Sequence, residues 1–193
     1  MRFDVIIQNP YYQKSDIHLG LNTICVNKTF DIMKDINIEQ FLNIDDYATD
    51  KRKSRRKTGK NTQEFFTPYS IVKTMADKID ESYWHDATKT FLEPCFGNGQ
   101  FVIYIIYRRL MSGIDWRTTL ETLYGVELMQ DNVNETYSRV IKLLDEMQVE
   151  YDKMIAYEIM HKNLVCSDFF EWDFENWCPK HQNQPKQLEL QFE

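Results

Sequence analysis

Residues 90–110 read Thr90-Phe91-Leu92-Glu93-Pro94-Cys95-Phe96-Gly97-Asn98-Gly99-Gln100, followed by FVIYIIYRRL through Leu110. Phe91 and Leu92 run into the acidic Glu93, Gly97 and Gly99 interrupt the chain, and an apolar stretch opens at Gln100. That order predicts a short buried strand (90–93), a glycine-containing turn and an apolar helix (about 100–111). Gly97 and Gly99 allow the backbone to turn tightly and to approach a ligand closely. The Gly-Lys-Ser/Thr ending of a phosphate loop is absent. Alone, the stretch is equally compatible with an ordinary strand-to-helix turn.

The same alternation continues outward. ETLYGVE (121–127) predicts a strand ending at Glu127. Val133, Tyr137, Val140, Ile141, Leu144 and Met147 recur at helical spacing over 131–148, a further helix is expected over 151–161, and NLVCS predicts a strand ending at Asp168. Strand, helix, strand, helix, strand implies an α/β fold with a parallel sheet and right-handed crossovers. Upstream, Pro68 stands where a helix would begin, and Ile71, Val72, Met75, Ala76 and Ile79 share one face of it over 69–80. Residues 31–47 are loosely helical, Thr23–Val26 is a candidate strand, and FDVIIQ (3–8) reads as a buried strand stopped by Asn9-Pro10. The chain thus reads as one domain over 1–175, with a basic linker or loop at 48–63 and a polar tail at 176–193.

Hydrophobic residues make up 42% and aromatic residues 14%, a composition that suits a buried core and argues against disorder. No apolar run approaches the ~20 residues that cross a bilayer, so no membrane association is expected. The opening MRFDVIIQNP does not match a signal peptide. Widely spaced cysteines (Cys25, Cys95, Cys166, Cys178) suit reduced thiols in a cytoplasm. The net charge is −7, yet residues 51–57 read KRKSRRK and carry +6, leaving −13 on the rest. Such a run reads either as a solvated linker or as a contact for nucleic-acid phosphates.

Parallel α/β sheets bind ligands at the carboxyl ends of their strands, where Glu93, Glu127 and Asp168 all fall. A carboxylate at 127 can accept hydrogen bonds from ribose hydroxyls. Asp168 can accept from an exocyclic amine, with Phe169 or Phe170 available to stack on a purine. Singly, each acid could be a capping or surface residue. Three in this order are harder to ascribe to chance.

Together with Phe65-Phe66-Thr67-Pro68, these features resemble the S-adenosylmethionine-dependent DNA N6-adenine methyltransferases over roughly 64–173. Glu93 to Phe101 resembles their D/E-P-x-x-G-x-G-x-F cofactor loop, with the less common Glu at 93 and a bulky Phe96. The resemblance implies a Rossmann-like class I methyltransferase sheet flanked by helices, permuted and short. It implies S-adenosylmethionine as cofactor, held by Thr67, Pro68, Glu93, Pro94, Gly97, Gly99, Phe101, Glu127, Asp168 and Phe169.

The family's catalytic tetrapeptide, D/N/S-P-P-Y/F/W on its own strand, normally follows the strand ending at the Asp168 equivalent. Here FDVIIQNPYY at the N-terminus resembles it, with Tyr11 in the place of the second proline. By this resemblance the Asn9 side-chain oxygen and the Pro10 carbonyl would accept the two hydrogens of an adenine amine, favouring a more sp³-like nitrogen. Tyr12 would stack on the extruded base. A permutation between Asp168 and this strand keeps the sheet order, because in the family the motif-bearing strand lies beside the cofactor-loop strand. The roughly 50 residues between Tyr12 and Thr67 leave little room for further strands and none for a recognition domain, so an open sheet edge and pairing with a second copy or a partner subunit are expected.

DNA contact would then fall to Lys51, Arg52, Lys53, Arg55, Arg56 and Lys57. QLELQF near the end resembles a sliding-clamp docking peptide through Gln187, Leu188, Leu190 and Phe192; so short a motif also reads as an incidental tail. His161, Cys166, Cys178 and His181 match no common zinc spacing, and no metal is expected. Cys95 reads as a packing residue, because methyl transfer needs no covalent enzyme intermediate. Trp84, Trp116, Trp172 and Trp177 read as core or interface. The leading expectation is a DNA adenine N6-methyltransferase or a subunit of one, in a restriction-modification setting. RNA bases and protein glutamine are other substrates of similar segments. The non-enzymatic alternative is an inactive methyltransferase-like module that binds DNA or protein.

Overall fold

A computed structural model describes residues 3–6, 33–43 and 67–180. The candidate strand at Thr23–Val26, the basic stretch 48–63 and residues 181–193 lie outside the described residues.

Four strands form one all-parallel sheet in the order β1-β2-β3-β4: Val5–Ile6, Phe91–Glu93, Leu123–Glu127 and Leu164–Cys166. Helices flank it, and the architecture is the Rossmann-like α/β class expected from the sequence. Val5 pairs with Phe91 and Ile6 with Leu92, so the N-terminal strand lies directly beside the strand that feeds the glycine turn.

The helix after that turn, Gln100–Met111, is buried on all sides from Phe101 to Ile106. Burial at about 1.5–3 kcal/mol per large apolar side chain outweighs the weak helix propensity of its β-branched Val102, Ile103, Ile105 and Ile106. Arg109 on the same helix is fully buried, and its guanidinium donates to the Tyr83 and Asp86 carbonyls and lies over the Phe91 ring. Burial pushes it down to about 10, still charged at neutral pH.

In chain order the helices are α1 (Ile38–Leu42), α2 (Tyr69–Ala76), α3 (Glu81–His85), α4 (Gln100–Met111), α5 (Trp116–Glu121), α6 (Gln130–Glu146) and α7 (Lys153–Asn163). The expected helix over 69–80 ends at Ala76, because Asp80 starts a new one by accepting the Ser82 amide. Asp115 starts α5 in the same way through Thr118. Within 31–47 the helix is only Ile38–Leu42. The strand expected over 121–127 begins at Leu123, because α5 runs through Glu121.

One face of the sheet, with Phe91, Leu123 and Leu164, joins the helices in the main core. On the other face Leu92 and Val126 are buried outside that core, and Tyr124 meets Phe3 (5.2 Å) and Trp177 (4.9 Å) edge to face. A small antiparallel pair, β5 (Trp172–Asp173) and β6 (Cys178–Pro179), carries Trp172 and Trp177 onto this side. Residues 176–180, read from sequence as the start of a tail, therefore fold back onto the sheet. Among the described residues, no helix is long and apolar enough to cross a membrane.

Candidate active site

The sheet brings Glu93, the glycine turn and Glu127 to one edge, at the carboxyl ends of β2 and β3. Glu127 is buried and its carboxylate is the hub of this edge. Its Oε2 accepts the Gly97 amide at 2.9 Å, and its Oε1 accepts the Met129 amide at 2.9 Å and the Asn132 side-chain amide at 3.1 Å. The acid expected to face a ribose thus also fastens the turn to β3 and to the start of α6.

Glu93 is buried at 3% exposure. Its Oε1 accepts the Cys95 amide at 3.4 Å, while Oε2 finds no hydrogen-bond partner among the described residues. Desolvation, reinforced by the neighbouring Glu127 charge, pushes the carboxyl up to about 8. Cys95 is exposed rather than packed as expected. Loss of hydration and the facing Glu93, Glu127 and Asp168 charges push its thiol up to about 11, so it is no nucleophile at neutral pH.

Gly97 and Gly99 both adopt left-handed backbone, at φ 55° and 85°. Gly99 is also the residue from which α4 starts, and a Cβ there would stand 2.7 Å from Thr136 Cγ2. Its missing side chain serves the close approach of α6. Phe96, bulky beside the turn, is buried at the position a Cβ on Gly125 would claim, 2.6 Å from Phe96 Cδ1. Phe101 is buried in the main core and Pro94 is half-buried.

Asp168 departs from its expected position. Strand β4 ends at Cys166, and Asp168 follows as an exposed residue capping the 3₁₀ turn Phe169–Glu171 through the Phe170 amide at 2.8 Å. Phe169 and Phe170 meet edge to face at 5.3 Å, and Phe170 is 67% exposed. Thr67 and Pro68 lead into α2, whose Ile71 and Val72 amides bond to the Pro68 carbonyl. Among the described residues no hydrogen bond joins either of them to the glycine turn.

Asn9, Pro10, Tyr12 and the basic residues Lys51, Arg52, Lys53, Arg55, Arg56 and Lys57 lie outside the described residues. The strand leading to Asn9 is described, and sequence reasoning missed how it is held. Asp4 Oδ2 accepts from the Thr90 amide and hydroxyl, each at 3.0 Å, the Asp4 amide donates back to Thr90, and Lys89 stands 3.5 Å from Asp4 Oδ1. Thr136 and Arg139, which bond to the carbonyls of Gly97 and Asn98, and Asn132, which bonds to Glu127, were also missed; all three lie on α6 at helical spacing, and as ordinary polar positions of an amphipathic helix they carry no motif.

A family model described as N-6 DNA Methylase matches residues 31–137, more than half of the chain. Searches of curated proteins and of solved structures gave no match.

Proposed function

The chain belongs to the N-6 DNA methylase family, and on that premise we propose that it transfers a methyl group from S-adenosylmethionine to the exocyclic amine of adenine in DNA, alone or as a subunit. The observation that carries this reading is the parallel pairing of Val5 with Phe91 and Ile6 with Leu92. It brings the chain out of β1 at the edge where Glu93 opens the glycine turn, three residues before Asn9.

The residues at that edge suit the cofactor. A buried Glu93 oxygen without a partner among the described residues matches a cationic or N–H donor group. Glu127 retains lone pairs for ribose hydroxyls, and Asp168 with the exposed Phe169 and Phe170 suits an adenine ring. Thr67 and Pro68 would complete the site from the start of α2. Bound there, S-adenosylmethionine supplies an electrophilic sulfonium methyl. The Asn9 side-chain oxygen and the Pro10 carbonyl would accept hydrogen bonds from the two amine hydrogens, favouring a more sp³-like nitrogen whose lone pair is withdrawn from ring conjugation and oriented for attack. Tyr12 would hold the extruded base by stacking, and Lys51, Arg52, Lys53, Arg55, Arg56 and Lys57 would neutralise DNA phosphates.

The test is tritiated methyl transfer to adenine-containing DNA, with N6-methyladenine identified after digestion and Asn9→Ala as the inactive control. Calorimetric binding of S-adenosylmethionine without transfer to DNA, RNA or a glutamine peptide would replace this reading with the non-enzymatic one.

Two partner assignments accompany it. Among the described residues β1 pairs on one side only, which supports a second copy or partner subunit at its other edge; a monomeric mass by light scattering removes that idea. Gln187, Leu188, Leu190 and Phe192 would dock on a sliding clamp, and pull-down by the intact chain, lost on deleting 187–193, is the required result.

A further inference from the structure

The glycine turn is gripped from behind by α6. The Arg139 guanidinium donates from Nη1 to the Asn98 carbonyl at 2.5 Å and from Nη2 to Gln100 Oε1 at 3.2 Å. Glu135 accepts the Asn98 side-chain amide at 3.2 Å, and Gln100 in turn donates to the Leu42 carbonyl at 3.1 Å, tying α1 into the same network. Arg139 also borders an open cleft of about 500 Å³ between α1 and α6, with Asn37, Gln40, Phe41 and Lys142.

The Asn98–Gly99 peptide lies between two left-handed glycines, so its plane is the soft element of the turn. Both of its polar atoms are held: the carbonyl by Arg139, and the Gly99 amide by the Phe96 carbonyl at 2.8 Å. Gly97 is held by the Glu127 carboxylate at its amide and, at a longer 3.4 Å, by Thr136 at its carbonyl. Of the bonds that fix the 98–99 peptide, the Arg139 bond is charge-assisted and the shortest, hence the strongest. Asn98 is only 1% exposed, so water is poorly placed to replace it.

We propose that Arg139 is a positioning residue for cofactor binding: it locks the Asn98–Gly99 peptide and so presets the glycine turn before the cofactor arrives. This rests on the assignment of the turn to S-adenosylmethionine, and its test has one arm that needs no cofactor. In the unliganded protein, Arg139→Lys and Arg139→Met should speed amide exchange at Gly99 at least tenfold, with Lys the milder because its ammonium can still reach one carbonyl. By calorimetry Arg139→Met should weaken S-adenosylmethionine tenfold or more and Arg139→Lys less than fivefold. Asn163→Ala, which removes buried bonds to the Leu120 and Glu121 carbonyls, controls for general destabilisation and should leave affinity within twofold. Should Arg139→Met fail to fold, Arg139→Lys and Arg139→Gln carry both readouts. Unchanged Gly99 exchange, or an affinity loss no greater than that of Asn163→Ala, overturns the proposal. A wild-type protein that ignores S-adenosylmethionine while exchange still responds to Arg139 overturns the cofactor assignment instead.

Discussion

Glu127 and Gly97, thirty positions apart in sequence, are joined by a 2.9 Å hydrogen bond from the Gly97 amide to the Glu127 carboxylate. Two strand ends are thereby fixed to each other by the side chain assigned to the ribose. On the proposed assignment, ribose binding and loop architecture would draw on one carboxylate and would not be separable by mutating it.

Glu127→Gln keeps the shape but leaves one acceptor oxygen for three donors. One or two charge-assisted bonds at roughly 1–3 kcal/mol each are lost. The expected outcome is a melting temperature lowered by roughly 4–10 °C for a domain of this size and S-adenosylmethionine affinity reduced at least tenfold. Calorimetry and a thermal melt on the same sample check both.

Gly99→Ala meets two obstacles, a left-handed backbone at φ 85° and the Thr136 side chain 2.7 Å from the new methyl. Backbone strain of about 1–2 kcal/mol and overpacking of about 1–3 kcal/mol predict a loss of roughly 2–5 kcal/mol in denaturant melts. Thr136→Ala in the same chain should recover the packing part and leave the backbone part.

Glu93 gives the pH dependence its sign. Its carboxyl is raised from an ordinary 4.5 to about 8 by burial, so the folded state holds a proton that the unfolded chain releases. The stabilisation this confers is complete below about pH 4.5 and is lost as pH rises towards 8. Relative to Glu93→Gln, the unliganded wild type should therefore melt at progressively lower temperature from pH 5 to pH 8. Parallel pH curves for the two proteins would refute the assignment of this carboxyl.

Asp4→Ala removes the side-chain acceptor of Thr90 and the ion pair with Lys89. The Val5 amide, bonded to the Thr90 carbonyl at 2.9 Å, should lose exchange protection. Cofactor affinity should stay within twofold, since Glu93, Gly97 and Glu127 are untouched, while methyl transfer falls at least tenfold. Normal transfer with an unprotected Val5 would show that β1 does not present the catalytic segment.

The parts of this fold that follow from strong periodic signals are visible in the sequence. Phe91-Leu92-Glu93 and the apolar Phe101–Ile106 run mark β2 and α4 in the sequence, because unbroken apolar runs beside a glycine turn announce elements that the core will bury. The short helices α3 and α5 are invisible to periodicity, being five and six residues long; each rests on a single aspartate cap, Asp80 or Asp115. The strand-end acids Glu93 and Glu127 are legible because strand geometry delivers them to one edge. Asp168 is less so, because its side chain satisfies a local amide two residues beyond the strand. Arg139 reads as one more charge on an amphipathic helix, and Gly125 as one more strand glycine. Their partners, Asn98 and Phe96, lie on the far side of a crossover, and only the fold puts them together.

Among the described strands, β1 comes earliest in the chain and pairs across the longest separation. Its bonds to Thr90 span 86 positions, whereas the pairings of Phe91 with Leu123 and of Gly125 with Leu164 close loops less than half as long. Chain-closure entropy grows with separation, and contacts of high sequence separation form late. The body that carries the glycine turn thus assembles ahead of the strand that precedes Asn9, and during synthesis that strand waits for a partner not yet translated. On the proposed function, the part of the chain that binds S-adenosylmethionine would be complete before the part that uses it.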